Sequence, residues 1–201
     1  QKVLDALKPH YEVIKTEVDE FNRTASQHSK YGNMRKGIGV AGMWYRFGKS
    51  GSLKIPSYAE LRTDGSFVVF CSAPEYGQGI ETVMVQLAAE SLGVPQESIT
   101  LVNADTLLTP DSGVQGASRA TYWVGNSVVD AAQNLKNNIF AVASEMLDCH
   151  PQELQINEGT VHCTNAPENI ISLAEIASEF ENLGKSKSVN GLFDLSLEFP
   201  D

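Results

Sequence analysis

The chain has 201 residues, 42% of them hydrophobic and 20% charged, the balance of a folded protein with its own core rather than of a disordered one. A formal net charge of −10 argues against nucleic acid as the main partner, since a phosphate backbone needs a basic face. No run approaches the roughly 20 apolar residues that span a membrane, and the first residues lack the basic-then-apolar order of a signal peptide. The expectation is a cytoplasmic chain, off the membrane and, since Gln1 stands where an initiator Met would, trimmed or cut from something longer. Cys71, Cys149 and Cys163 are odd in number and form no C-x-x-C, so neither a disulfide framework nor an iron–sulfur cluster held by this chain is expected.

In chain order, Val3, Leu7, Tyr11, Ile14 and Val18 keep helical spacing and predict a helix over 3–18, which Pro9 complicates. A polar loop over 19–36 leads to a predicted strand from Gly37 to Phe47 and a turn at 48–52. Strands near 55–62 and 66–73 flank Asp64-Gly65, a hairpin signal because glycine accepts the positive φ of such turns. Gly77-Gln78-Gly79 breaks the chain before a helix with Ile80, Val83, Leu87 and Leu92 on one face, closed by Gly93. A strand at 99–102 and a loop from Asp105 to Gly116 follow. A long amphipathic helix then presents Val124, Val128, Ala131, Leu135, Ile139, Val142 and Met146, and Pro151 stops it. A hairpin turning at Glu158-Gly159 and a last helix around 171–180, capped by Ser172 or Asn169, complete the pattern; the tail from Gly184 shows no clear element. Pro-Gln-Glu recurs after two helices, at 95–97 and 151–153. This is either the echo of a duplicated helix–strand unit or a local way to begin a strand.

Several motifs fail in context. Gly37-Ile38-Gly39-Val40-Ala41-Gly42 matches G-x-G-x-x-G without the preceding strand and following helix that dinucleotide binding needs. Gly48-Lys49-Ser50 has Met43 where a P-loop has its first glycine. Cys149, His150, His162 and Cys163 have the chemistry of a zinc quartet, but neighbours on a strand face opposite ways, so a buried Cys with surface His is the favoured reading. Asn22-Arg23-Thr24 is a formal sequon that means nothing without secretion, and no nucleophile elbow or hydrolase triad is present.

The strongest local signal is a pair of loops that each open a helix. Tyr76-Gly77-Gln78-Gly79 and Gly113-Val114-Gln115-Gly116-Ala117-Ser118-Arg119 place small residues where helix-start N–H groups lack partners. Such starts favour anions, and Arg119 adds a guanidinium able to fork onto phosphate oxygens. Simple helix entry is the alternative.

Around these loops the chain resembles the molybdenum hydroxylases, the xanthine dehydrogenase and aldehyde oxidase family. The resemblance rests on Glu75-Tyr76-Gly77-Gln78-Gly79, Thr82, Gln86, Ala88-Ala89-Glu90 and Leu92-Gly93, then Asp105-Thr106, Pro110, Gly113, Ala117-Ser118-Arg119 and Gly125. Phe21-Asn22 and Lys36-Gly37-Ile38-Gly39 fit the stretch that precedes the Gly-Gln-Gly loop, so the match runs in order over nearly the whole chain.

The resemblance implies a molybdenum held by a pterin dithiolene (molybdopterin), oxidation of an aldehyde or N-heterocycle with oxygen from water, a glutamate base, and electron exit through iron–sulfur clusters and flavin on other domains or subunits. It implies cofactor contacts at Tyr76, Gly77, Gln78 and Gly79 and at Gly116, Ala117 and Ser118, with Arg119 as a phosphate partner. The family's molybdenum subunit is several times longer, and this sequence has neither its upstream G-G-F-G loop nor its Gly-Glu segment with the catalytic glutamate. No catalytic residue or metal ligand is therefore assigned here.

The expected fold is α+β, with mixed sheets and β-hairpins packed against two main amphipathic helices. It is read as one partial molybdopterin-binding domain over 1–201, with 1–110 and 111–201 as conceivable helix–strand halves. The remaining parts of the molybdenum subunit and the electron-transfer components are the expected partners, a small molecule is the expected substrate, and the chain alone is expected to be inactive. A non-catalytic cofactor-binding or maturation module, and an unrelated nucleotide binder, are the competing readings.

Overall fold

A computed structural model describes residues 2–27, 30–42, 54–116 and 118–198. The chain packs as two compact units, Gln1–Gly48 and Lys49–Asp201. No division falls near 110, where the loop after one strand runs on into the longest helix of the second unit.

The first unit is built on α1 (Lys2–Thr24), longer than the apolar spacing predicts. Pro9 lies inside it without ending it. Asn22 clasps Lys36, its Oδ1 accepting the Lys36 N–H at 2.8 Å and its Nδ2 donating to the Lys36 carbonyl at 2.9 Å. The Lys36 ammonium also stands 4.1 Å from the centre of the Phe21 ring. Residues 37–42 form no regular element, so the predicted strand is absent there; its remainder, 43–47, and the turn at 48–52 lie outside the described residues.

The second unit is α+β. β1 (Lys54–Leu61) and β2 (Phe67–Cys71) form the expected hairpin, with Gly65 at φ 85° in its turn. α2 (Ile80–Leu92) then crosses to β3 (Ile99–Asn103), which pairs parallel to β2. A π-helical turn, Ala120–Val124, opens α3 (Gly125–Leu147). A three-stranded antiparallel sheet follows, of β4 (Leu154–Asn157), β5 (Thr160–Cys163) and β6 (Ala166–Ser172), then α4 (Leu173–Asn182). The tail without a predicted element supplies β7 (Ser188–Asp194), antiparallel to β1, and a last turn, α5 (Leu195–Glu198). The main sheet therefore runs β3-β2-β1-β7.

β1 alternates strictly, burying Ile55, Ser57, Ala59 and Leu61 toward the helices. Pro56 fits because β2 pairs with β1 only from Tyr58 onward, so no partner strand needs the missing N–H on that side. α2 and α3 pack on each other, and α3 lies against β1 and β7. The α3 face is buried as its spacing predicts, except Met146, which is 40% exposed. β7 reaches α3 so closely that a Cβ on Gly191 would sit 2.3 Å from the Ser127 carbonyl oxygen and the Ala131 nitrogen. α3 ends at Leu147, with Asp148 in the left-handed conformation; Pro151 comes later, in a 3-10 turn. Of the two proposed caps for α4, Ser172 forms a reciprocal capping box with Glu175. The two Pro-Gln-Glu segments each make a 3-10 turn before a strand, but β3 joins the main sheet in parallel and β4 the smaller sheet in antiparallel fashion. The recurrence is a local device for starting a strand, not a repeated unit.

Candidate functional site

β2, α2 and β3 form a β–α–β unit, and both glycine-rich loops leave the carboxyl ends of its parallel strands. Open sheets carry their ligand crevices at that end.

The first loop, 74–79, is exposed throughout. Its shape comes from its own side chains. The Glu75 carboxylate accepts N–H groups from Gly77 at 2.7 Å, Gly79 at 3.0 Å and Glu81 at 3.3 Å. These bonds, that of Gly79 first, hold its pKa below the ordinary glutamate value. Gly79 is the N-cap of α2 at φ 79°, a conformation that L side chains rarely adopt, and it has no side chain to cap the helix. Glu75 does the capping instead. The N–H groups that the sequence offers to an external phosphate are thus occupied from within. Gln78 completes the loop, its Oε1 accepting the Tyr76 N–H and its Nε2 donating to the Pro74 carbonyl, both at 2.8 Å. One N–H and one lone pair of that amide remain unused among the described residues. A Cβ placed on Gly77 or Gly79 would meet nothing within 4 Å, so the space beside the loop is open.

The second loop runs from Ala104 to Arg119. Asp105 accepts N–H groups from Leu107 at 2.8 Å and Leu108 at 3.2 Å, and Asp111 accepts that of Gly113 at 2.7 Å. Ser118 is exposed and left-handed at φ 64°, a position of backbone strain. Gly116 has open space beside it, and Ala117 lies outside the described residues. Arg119 is buried, at 7% exposure; its Nη2 donates to the Ser112 carbonyl at 3.0 Å and its guanidinium lies 3.8 Å over the Trp123 ring. Burial lowers its pKa, though a guanidinium remains cationic. The residue read as a surface phosphate fork is therefore an interior cation behind the loop.

Side chains that carry no motif join the two loops. Asn103, at the end of β3, accepts the Ala73 N–H and donates to the Ala73 carbonyl, and its Nδ2 reaches Glu81 at 3.3 Å. The Ser72 hydroxyl bonds that of Thr109 at 2.9 Å, while the Ser72 carbonyl accepts from the Ser112 hydroxyl and from Gln115 Nε2. Gln115 Oε1 is buried and has no hydrogen-bond partner among the described residues. A buried acceptor left unpaired is unfavourable by about 1–3 kcal/mol unless a ligand donates to it. Sequence reading missed Ser72 and Asn103 in this role, because single polar residues at strand ends carry no recognisable spacing, and it gave Gln115 no role of its own within the second loop.

The Cys149, His150, His162 and Cys163 set follows the favoured reading in burial, with both cysteines buried, His150 exposed and His162 half-buried. Cys149 and Cys163 form a disulfide, contrary to the expectation that this chain has no disulfide framework, and Cys71 is buried as a thiol. The reason is spatial: β5 returns Cys163 beside the end of α3 across a separation of 14 residues. His162 alternates to the other side of β5, and His150 Nδ1 accepts the Gln152 N–H at 3.3 Å.

Comparison with known proteins bears on this geometry. A family model described as a molybdopterin cofactor-binding domain matches residues 7–200. The chain is 35% identical over 119 residues to the 6-hydroxypseudooxynicotine dehydrogenase complex subunit gamma of Paenarthrobacter nicotinovorans, covering 59% of this chain and 15% of that one. It is 32% identical over 166 residues to the xanthine dehydrogenase molybdenum-binding subunit of Escherichia coli O157:H7, covering 78% and 21%. Among solved structures, quinoline 2-oxidoreductase from Pseudomonas putida 86 shares the fold, with a TM-score of 0.61 at 23% identity over 71% of this chain and 19% of that one. The chain thus spans about a fifth or less of the length of these relatives.

Proposed function

Because the chain belongs to the molybdopterin cofactor-binding domain family, we propose that it forms one side of the cofactor site of a molybdenum hydroxylase, an oxidoreductase acting on an aldehyde or N-heterocycle. When bound, the cofactor supplies the redox centre that takes two electrons from substrate. This chain supplies the walls. Tyr76, Gly77, Gln78 and Gly79 line one side, with the spare donor and acceptor of the Gln78 amide toward the ligand. Gly116 and Ser118 line the other, and Arg119 behind them gives a fixed positive charge that favours an anionic ligand. Gln115 Oε1 waits for a donor, such as an N–H of the pterin.

The observation that carries this reading is the junction at Ser72 and Asn103, which fixes both open loops at one end of the parallel pair beside an unsatisfied buried acceptor. The cofactor's remaining contacts, the catalytic glutamate, and the iron–sulfur and flavin components are assigned to the rest of the subunit and its partners, so the isolated chain is inactive. The test is cofactor content. In the intact oxidoreductase, Gln78→Ala combined with Gln115→Leu loses pterin and molybdenum while keeping its helical circular dichroism. Full pterin occupancy in that variant refutes the placement.

A further inference from the structure

We propose that the Cys149–Cys163 bridge is the oxidised form of a zinc site in which Glu153 is the third protein ligand. Cys149 follows the left-handed cap of α3, Glu153 closes the 3-10 turn Pro151–Glu153, and Cys163 ends β5 opposite Leu154. The two sulfurs and a Glu153 carboxylate oxygen all lie within 4.8 Å of one another. Glu153 Oε2 stands 3.9 Å from Cys149 Sγ, while Oε1 accepts from Asn165 Nδ2 at 2.6 Å. One oxygen is thus oriented by an amide and the other faces sulfur, the arrangement in which an outer partner aims a metal-binding carboxylate. No lysine or arginine among the described residues pairs with Glu153, so a carboxylate beside a neutral disulfide stands without a counter-charge. The turn is held at both ends: the Glu153 N–H donates to the His150 carbonyl at 2.9 Å, and its carbonyl accepts from Thr164 at 2.8 Å.

A dithiol reductant opens the bridge. Two electrons and two protons pass to the sulfurs, and the reductant ends as its own disulfide. Zinc then displaces both thiol protons and binds two thiolates and one carboxylate, with water in the fourth position, which the half-buried Glu153 leaves reachable. At Zn–S distances of about 2.3 Å the sulfurs stand about 3.8 Å apart. Side-chain rotation supplies that change across a Cα separation of 6.3 Å.

The test uses the 201-residue chain, reduced and freed of reductant without air, and titrated with cobalt(II) as a spectroscopic stand-in for zinc. The expected result is one cobalt per chain, with a thiolate-to-metal charge-transfer band that zinc abolishes. The band is absent from the oxidised chain and from a Cys149→Ser, Cys163→Ser double variant, and Glu153→Gln weakens binding by about tenfold or more. A reduced chain that exposes both thiols, keeps its helical signal and gives no thiolate band overturns the proposal. So does a chain that loses its fold on reduction, because no site then survives to bind metal.

Discussion

Asn103 grips Ala73 from both sides: its Oδ1 accepts the Ala73 N–H at 2.8 Å and its Nδ2 donates to the Ala73 carbonyl at 2.7 Å. The end of β3 is thereby tied to the segment that leads from β2 into the Gly-Gln-Gly loop. Replacing Asn103 by Leu leaves two backbone groups without partners, and a destabilisation of about 2 kcal/mol is expected. Urea unfolding of the variant measures it, and an unchanged midpoint would show that the loops are joined by other means.

Glu75 makes the first loop pH-dependent. Its folded pKa is lowered, chiefly by the Gly79 N–H, so its contribution is present above the unfolded value of about 4.3 and is lost as pH falls through the folded value. The amide resonances of Gly77 and Gly79 are therefore expected to titrate together below pH 4.3. In Glu75→Gln this inflection disappears and both amides exchange faster with solvent. An inflection at or above the ordinary glutamate range would contradict the capping role.

Gly191 tests how β7 meets α3. A methyl group there would lie 2.3 Å from backbone atoms of Ser127 and Ala131, which no rotamer change relieves. Gly191→Ala is expected to destabilise the second unit by about 3 kcal/mol, at the upper end of ordinary overpacking. A change below 1 kcal/mol, roughly the smallest such effect, would mean that β7 lifts off the helix at little cost.

Cys71 provides a count of thiols. Burial pushes its pKa up to about 12, so almost no thiolate exists at neutral pH. In the oxidised chain no cysteine is expected to react with iodoacetamide at pH 8 while folded, and one is expected to react after denaturation. Mass spectrometry reads both numbers; three reactive thiols after denaturation would deny the Cys149–Cys163 bridge.

What the sequence disclosed follows from the range of the interactions involved. The α3 stripe and the Asp64-Gly65 and Glu158-Gly159 turns are set by neighbours a few residues apart, and the structure contains each of them. β7 was hidden because its place is set by partners over 120 residues away in β1, and because Ser188-Val189-Asn190-Gly191 carries little apolar alternation of its own. The disulfide was hidden although its cysteines are only 14 residues apart, since cysteine parity says nothing about which strand returns beside which helix. At the site, the glycine loops were visible as motifs. Their inner fittings were not: Glu75 filling the helix start, Arg119 turned inward onto Trp123, and Ser72 and Asn103 joining the loops are all polar contacts decided by tertiary geometry.

The central claim is that this chain helps to hold a molybdenum cofactor within a larger oxidoreductase. The most direct measurement is elemental mass spectrometry of native material captured through this chain from its own host. The account predicts near-stoichiometric molybdenum together with iron from the electron-transfer components. A well-folded chain captured without molybdenum would contradict it.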